Sequence, residues 1–297
     1  MHPTHNPKQK SLKKVLALVL ALVLLAGLLL FANALVGNPI SRLLVKRSAN
    51  AYVAETYSGT DYKIDSVMYS FKDGHYHVDV SSPSSQDTYF VLEYRASGKL
   101  FRDSYEEQVL LKGNTARRID EEYRTRCKAI LEGGQFPYEV YMGGGDLLTA
   151  LSPAPPEEDT PQEPGVPLSP LDQTMLVLDK TYDVSKLGAS HGSVWLYVEV
   201  DPSEITAETA AEVLLTAKEL LETANLPFFR IDLHLEPPRG EDGTPGGEPT
   251  LQIRNFPWSE IEPEGLAERV QTAADALTQY YSEMDQLKNA ELAQAEQ

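Results

Sequence analysis

The chain has little cysteine and little positive charge for its length. Its 297 residues include a single cysteine, Cys127, which excludes an internal disulfide framework and a metal site built from paired cysteines. There are 26 lysine and arginine residues against 44 aspartate and glutamate residues, so the formal net charge is −18. Nucleic-acid binding depends on clustered cations that neutralise phosphates. We therefore expect no nucleic-acid partner.

The sequence also lacks the motifs of known catalytic sites. The glycine run at 143–145 is not followed by the lysine and serine or threonine of a phosphate-binding loop, and a flexible joint is enough to explain it. Asp183, Ser185 and His191 contain the residue types of a hydrolase triad, but no nucleophile elbow accompanies them. We interpret them as turn residues and expect no cofactor.

A long apolar segment lies near the N-terminus. Counting Gly27, Val15 to Ala32 is an unbroken run of 18 apolar residues. As a helix, residues 15–36 would extend for roughly 33 Å, which matches a bilayer core of about 30 Å. The run has no polar face, which disfavours a buried core helix. We predict a transmembrane helix at 15–36, which anchors the chain in the lipid bilayer behind a basic cytoplasmic tail at 1–14.

The flanking charges favour a cytoplasmic N-terminus and extracytoplasmic domains beyond the helix. Four lysines precede the apolar run and three cations follow it: Lys8, Lys10, Lys13, Lys14, Arg42, Lys46 and Arg47. The run is longer than the core of a signal peptide, so we predict an uncleaved signal anchor. The alternative is cleavage near Ala34 and release as a secreted protein. No N-glycosylation sequon occurs, which is more typical of a bacterial protein.

Composition divides the rest of the chain into three parts. Residues 38–149 are nearly neutral, at −2, and are predicted to form a membrane-proximal domain. Residues 150–170 are rich in proline and carry −4, which predicts an extended, mostly unpacked acidic linker. Residues 171–297 carry −16 and are predicted to form an acidic distal domain.

Apolar periodicity predicts an α+β fold for the first domain. A short helix is expected over residues 38–56, followed by an antiparallel meander over residues 62–101. A capping box at Ser104 and Glu107 predicts a helix that runs to about Ile130.

The second domain alternates most clearly. Strands are expected at 194–200, 229–235 and 251–253, with a helix at 206–224 and a last helix that starts at Pro263. The order strand, helix, strand, strand, helix predicts a sheet with its helices on one face.

Few residues suggest site chemistry in the first domain. His75, His77 and Asp79 share one strand face, a spacing that would allow metal binding, although an exposed polar face is the simpler interpretation. Cys127 lies on the apolar stripe of its helix beside Arg126, so burial is favoured over a reactive thiol. If it were exposed outside the cell, it would be available for an intermolecular disulfide.

The second sheet offers a candidate docking face. Alternation places aromatic and cationic residues on the side opposite the apolar face: Trp195, Tyr197, Phe228, Arg230, His234 and Arg254. Aromatic residues with arginine on an open sheet face predict binding of a peptide, a glycan or a partner protein. The alternative is that residues 171–186 or the first domain cover this face.

Several stretches resemble a known family. The segments "NPISRLLVKRSANAYVAETY", "LDKTYDVSKLGASHGSVWLYVEV" and "FFRIDLHL", with the terminal helix, resemble the YfjL-like proteins of Gram-positive bacteria. The resemblance covers most of residues 38–285 and implies a membrane anchor with two small extracytoplasmic domains. It implies no catalytic residue, because no activity is established for the family.

Together these features predict a single-pass, membrane-anchored extracytoplasmic protein that acts as a non-enzymatic interaction or sensing module. Its partner would be another envelope protein or a peptide. Two alternatives remain open. One is an envelope hydrolase or metalloenzyme that uses His75 and His77 or His191, and the other is a secreted inhibitor or binding protein.

Overall fold

The computed structural model describes residues 7–151, 161–167, 170–240 and 242–295. The chain divides into two compact units, which meet in sequence between Leu110 and Leu111. Each unit combines helices with β-sheet, which confirms the α+β class predicted from the sequence. The strands of the first unit are all antiparallel, whereas the second unit contains both antiparallel and parallel pairs.

The first unit combines two helices with a four-stranded antiparallel meander in the order β1-β2-β3-β4. Its elements are α1 (Pro7–Val36), α2 (Pro39–Thr56), β1 (Lys63–Ser70), β2 (His75–Ser82), β3 (Ser85–Tyr94) and β4 (Leu100–Asp103), followed by a π-helical turn at Glu106–Leu110. The meander agrees with the predicted alternation.

Helix α1 includes residues 15–36, the segment predicted to span a membrane. Within the part of the chain that the structure describes, no helix combines the length and the apolar character that a membrane crossing requires.

A tight joint separates α1 from α2. Gly37 has φ +74°, and a Cβ atom there would lie 2.7 Å from the ring of Tyr69 and 2.7 Å from the hydroxyl oxygen of Tyr76. The backbone N–H of Asn38 donates to this hydroxyl at 2.6 Å, and the hydroxyl donates back to the Asn38 carbonyl at 3.0 Å. Only glycine fits both the positive φ and the close approach.

Helix α2 then packs on β1 and β2 with one face. The side chain of Asn38 caps its first turn by accepting from the Ile40 N–H at 2.8 Å. Val45, Ala49 and Val53 recur every four residues and are buried.

The second unit is built on a four-stranded sheet in the order β10-β9-β8-β5. Its elements are α3 (Gly113–Leu131), β5 (Glu139–Leu147), β6 (Thr149–Ala150), β7 (Leu171–Asp172), α4 (Val184–His191), β8 (Gly192–Glu199), α5 (Ala207–Thr223), β9 (Arg230–Glu236), β10 (Leu251–Pro257) and α6 (Leu266–Ala295). Strands β8 and β9 are parallel, whereas β5 and β10 pair antiparallel to them. The core joins alternate strand residues such as Leu196 and Leu233 to Leu214 and Leu221 of α5.

The boundary between the units differs from the predicted one. The sequence placed it in the linker at 150–170, with residues 111–149 in the first domain. In the structure, α3 and β5 pack within the second unit, because β5 pairs with β8 and α3 buries Ile119 and Tyr123 in the same core.

The start of the helix predicted at Ser104 also differs. The Ser104 hydroxyl bonds to the backbone of Val91 in β3, accepting from its N–H at 2.8 Å and donating to its carbonyl at 2.9 Å. The chain then turns through Lys112, which has φ 63°, before α3 begins. Ser104 therefore fastens the π-helical turn to the sheet, and the long helix starts nine residues later.

The glycine run at 143–145 is part of strand β5 and not a joint. A Cβ atom on Gly145 would lie 2.7 Å from the Cys127 Sγ of α3, and one on Gly144 would lie 2.6 Å from the Trp195 ring. Because Gly144 and Gly145 have no side chain, α3 can approach one face of β5 and the Trp195 indole can pack on the other.

Candidate docking face of the second sheet

The face of the second sheet opposite α3 and α5 carries side chains from all four strands. Strand register places Met142, Tyr197, His234 and Gln252 in one row across the sheet. In the next row, Trp195 lies between Gly144 of β5 and Asp232 of β9. The surface formed by the first row (Met142, Tyr197, His234 and Gln252) together with Trp195 of the next row is called the aromatic row below.

Two rings of the aromatic row stack on each other. The Tyr197 and His234 rings are nearly parallel, with centroids 5.2 Å apart and an interplanar angle of 17°. Burial lowers the pKa of His234, which disfavours the charged form of its ring. Trp195 and Tyr197 remain half-buried, whereas Met142 is 41 % exposed. Aromatic residues and methionine at a partly exposed surface are typical of protein interfaces.

A stacked arginine lies at the rim of this surface. The Arg239 guanidinium is 3.7 Å from the ring centroid of Tyr141, which is 52 % exposed because a bulge in β5 turns it outward. Arg239 also forms an ion pair with the buried Glu236 at 2.8 Å. The rim therefore already holds a guanidinium on an aromatic face.

A buried polar network lies at the other end of β9. Arg230 is 8 % exposed, and it donates to the Ser193 hydroxyl at 3.2 Å and to the side-chain oxygen of Asn255. Asn255 has φ 53° in a bulge of β10, and its N–H donates to Asp232 at 2.7 Å. Burial raises the pKa of Asp232 and lowers the pKa of Arg230.

Residues 161–167 of the Pro-rich segment pack along β10. The Glu163 carboxylate accepts from Asn255 Nδ2 at 2.9 Å and from Arg254 Nη1 at 3.2 Å, and the Val166 N–H donates to the Asn255 carbonyl at 2.9 Å. Gly165, with φ 96°, lies directly against the β10 backbone. The described part of the predicted linker is therefore packed, contrary to expectation, whereas residues 152–160 and 168–169 lie outside the described residues.

Backbone groups on both outer strands of the sheet already have partners. The Glu163–Val166 segment bonds to Arg254 and Asn255 of β10. On the other side, the Gly143 N–H of β5 donates to Glu132 at 3.1 Å and the Leu147 N–H donates to Asp120 at 2.8 Å, both from α3. Outward backbone donors that are already bonded make strand addition unfavourable. The face is therefore a better candidate for a docking surface than either edge.

The predicted docking residues divide into three groups. Trp195, Tyr197, His234 and Arg254 lie on the face opposite α3 and α5, as the alternation predicted, and Arg254 interacts with Tyr281 of α6. Arg230 also lies there, but it is buried in the polar network. Phe228 does not: it is 1 % exposed and packs edge-on against Trp258 with centroids 4.3 Å apart, because it precedes β9 and does not follow the strand alternation.

The segment expected as a possible cover, residues 171–186, packs elsewhere. Leu176 and Val184 are buried in the core that also contains Tyr123 of α3. Sequence reasoning missed Glu163 and Asn255, because the signal for both is a β-bulge that apolar alternation does not reveal.

The metal candidates of the first unit have other partners. His77 bonds to Asp73 at 2.9 Å, His75 stacks on Phe101 with centroids 4.4 Å apart, and Asp79 accepts from Ser66 at 2.5 Å. Among the residues that the structure describes, no group of three or more His, Cys, Asp or Glu side chains is arranged to hold a metal.

Asp183, Ser185 and His191 do not form a triad. Asp183 caps α4 by accepting from the Ser185 N–H at 3.2 Å, and the Ser185 hydroxyl donates to the Asn225 carbonyl at 2.5 Å. His191 is the last residue of this helix, about 12 Å along its axis from Asp183.

Comparison with known proteins gives matches to two family models. A model described as "YfjL-like, N-terminal domain" matches residues 12–129, and one described as "YfjL-like C-terminal domain" matches residues 122–271. No curated protein and no solved structure is significantly similar to the chain.

Proposed function

The chain belongs to the YfjL-like family, and from that premise we propose that it is a membrane-anchored, non-enzymatic binding module. Its N-terminus lies in the cytoplasm, residues 15–36 cross the bilayer, and residues 38–297 lie outside the cytoplasm. The second unit docks an extended, basic segment of another envelope protein on the aromatic row.

The observation that carries this proposal is the aromatic row on a sheet whose two edges are already occupied. Trp195 and Tyr197 present half-buried rings, and Met142 extends the surface outward. With the edges closed by Glu163 and by Asp120, a partner gains more from side-chain contacts on the face than from added backbone pairing.

Charge supports a basic partner. Residues 171–297 carry 8 basic and 24 acidic groups, so their field attracts cations and repels acidic segments. The stacking of Arg239 on Tyr141 is an internal example of the contact that a partner's arginine would make with Tyr197 or Trp195.

The apolar run near the N-terminus supports the anchor. Val15 to Ala32 is uninterrupted by charge, and large side chains on α1 such as Leu16, Leu24 and Phe31 are more than 60 % exposed. A helix that is apolar on all sides is unfavourable in water and suits the interior of a bilayer. Four lysines before the run favour a cytoplasmic N-terminus.

Peptide binding to the full-length protein tests the docking proposal. In a Trp258→Phe background, Trp195 is the remaining tryptophan and reports on the aromatic row. We expect a Lys- and Arg-rich peptide to change its fluorescence in a salt-sensitive manner, and an acidic peptide of equal length to have no effect. Tyr197→Ala should weaken binding about fivefold or more. Glu219→Ala, at an exposed position of α5, is the matched control. Equal responses to both peptides would refute the proposal.

Topology needs a separate experiment. Fusions of the C-terminus to a reporter that is active only outside the cytoplasm should be active. Activity of a cytoplasm-dependent reporter alone would overturn the orientation.

A further inference from the structure

Helix α2 has a second apolar face that the fold leaves uncovered. Ile40 is 70 % exposed, Leu43 69 % and Leu44 46 %, and Arg47 completes the same face at helical spacing. At 100° per residue, this face lies opposite the one that buries Val45, Ala49 and Val53 on the sheet. Large apolar side chains directly opposite a core indicate a second apolar contact.

Cations surround this face. Arg42, Lys46 and Arg47 are exposed, and they form no ion pair with any residue in the described ranges. Arg42 and Lys46 also line a groove of about 410 Å³ between α2 and β1, together with Leu43, Ser66 and one acidic residue, Asp65.

The charge of the first 54 residues is opposite to that of the whole chain. They contain seven lysine and arginine residues and no acidic residue, and the first carboxylate is Glu55, at the end of α2. In a chain of net charge −18, three of these seven basic residues, Arg42, Lys46 and Arg47, lie on α2 beside its exposed apolar side chains. The same apolar surface continues at the end of α1, where Leu35 and Val36 are 46 % and 76 % exposed.

We infer that the outer face of α2 is a lipid-contact surface that lies in the interfacial region of an anionic membrane. Ile40, Leu43 and Leu44 enter the boundary between headgroups and acyl chains. Arg42, Lys46 and Arg47 lie at the level of the lipid phosphates. An interfacial helix binds through buried apolar area together with attraction of its cations to anionic lipid, and α2 supplies both.

This inference extends the proposed anchoring to a second element, and the two are tested by different probes. Single cysteines are introduced into the full-length Cys127→Ala protein and labelled with an environment-sensitive fluorophore. Leu24→Cys reports on α1, Leu43→Cys on the outer face of α2, and Gln86→Cys on an exposed position at the far end of the sheet. The protein is reconstituted into vesicles of phosphatidylcholine, with or without equimolar phosphatidylglycerol.

In vesicles that contain phosphatidylglycerol, we expect the Leu43 probe to shift to shorter wavelength and to be protected from a neutral aqueous quencher, while the Gln86 probe stays accessible. Changing Arg42, Lys46 and Arg47 to glutamine should lower the ratio of embedded to exposed α2 by roughly fivefold for each cation removed. The charge-conserving variant, with Arg42→Lys, Lys46→Arg and Arg47→Lys, is the matched control and should keep the protection.

The outcomes separate the two proposals. A Leu43 probe as accessible as the Gln86 probe, with the Leu24 probe in lipid, overturns the inference and leaves the anchor standing. A protected Leu43 probe with an accessible Leu24 probe supports the interfacial helix and overturns the anchor. Equal protection of Leu43 with and without anionic lipid overturns the role of the cations.

Discussion

The side chain of Asn255 donates a hydrogen bond to the Glu163 carboxylate at 2.9 Å across 92 positions of sequence. Through this contact the Pro-rich segment is held on β10, and an exposed sheet edge becomes a covered one. The same Asn255 accepts from Arg230 and donates its backbone N–H to Asp232, so one residue in a β-bulge joins the covering segment to the buried network.

Removing the Glu163 carboxylate should release the covering segment. Glu163→Ala loses the bonds to Arg254 and Asn255 and should lower the free energy of unfolding by about 1 kcal/mol, because Glu163 and Arg254 are partly solvated. Hydrogen exchange of the Val166 amide, which donates to Asn255, should accelerate. Gln162→Ala alters an exposed neighbour and should leave this exchange unchanged. Equal rates in both variants would show that Glu163 does not hold the segment.

Adding a methyl group at Gly145 should force α3 away from β5. The new Cβ atom would lie 2.7 Å from the Cys127 Sγ and 3.0 Å from the Tyr123 ring. We expect Gly145→Ala to cost about 1–3 kcal/mol in chemical denaturation.

The double variant isolates the cause of that loss. Cys127→Ala removes the nearest atom, so the loss on Gly145→Ala should be smaller in this background, with a coupling of at least about 0.5 kcal/mol. Strict additivity of the two changes would mean that Cys127 is not the obstacle.

The Cys127 thiol should be inert in the folded protein. It is 0 % exposed, and burial raises its pKa to about 12, so the reactive thiolate is scarce at neutral pH. A thiol reagent should label it at the rate of unfolding and rapidly in denaturant. Rapid labelling of the native protein, or a disulfide-linked dimer on non-reducing gels, would contradict this burial.

Acid should remove a stabilising contribution at the β1–β2 turn. The N–H of His75 donates to Asp73 at 3.0 Å and, with the nearby His77, lowers the pKa of Asp73 from 3.8 to about 2. A depressed carboxyl pKa stabilises the folded state above pH 3.8 and loses this effect as pH falls toward 2. The difference in denaturation midpoint between wild type and Asp73→Asn should therefore shrink between pH 5 and pH 2, whereas a constant difference would count against the titration of Asp73.

Alternation was sufficient to predict which strand residues point into the core. Val194, Leu196 and Val198 of β8 follow it, and so do Tyr76, Val78 and Val80 of β2. It also placed Trp195 and Tyr197 on the correct face, because a regular strand has no other arrangement.

Local sequence shows that a helix has an apolar face, but it does not show which element this face packs against. Ile119, Tyr123 and Cys127 mark a buried helix face, but only the pairing of β5 with β8 assigns this helix to the second unit. Composition predicted that the Pro-rich segment separates the two domains. In the structure, part of this segment packs on the bulge of β10 at Asn255. The prediction for Phe228 was wrong for a related reason. The alternation was extended backward past Arg230, the first residue of β9, to a residue outside the strand.

The joint at Gly37 gives the first unit a mechanical property. The Tyr69 ring packs closely on Gly37, and the Tyr76 hydroxyl bonds both the N–H and the carbonyl of Asn38. This link is therefore stiff and does not act as a free hinge. A stiff link transmits a tilt or an axial rotation of α1 to β1 and β2, the strands that contain Tyr69 and Tyr76.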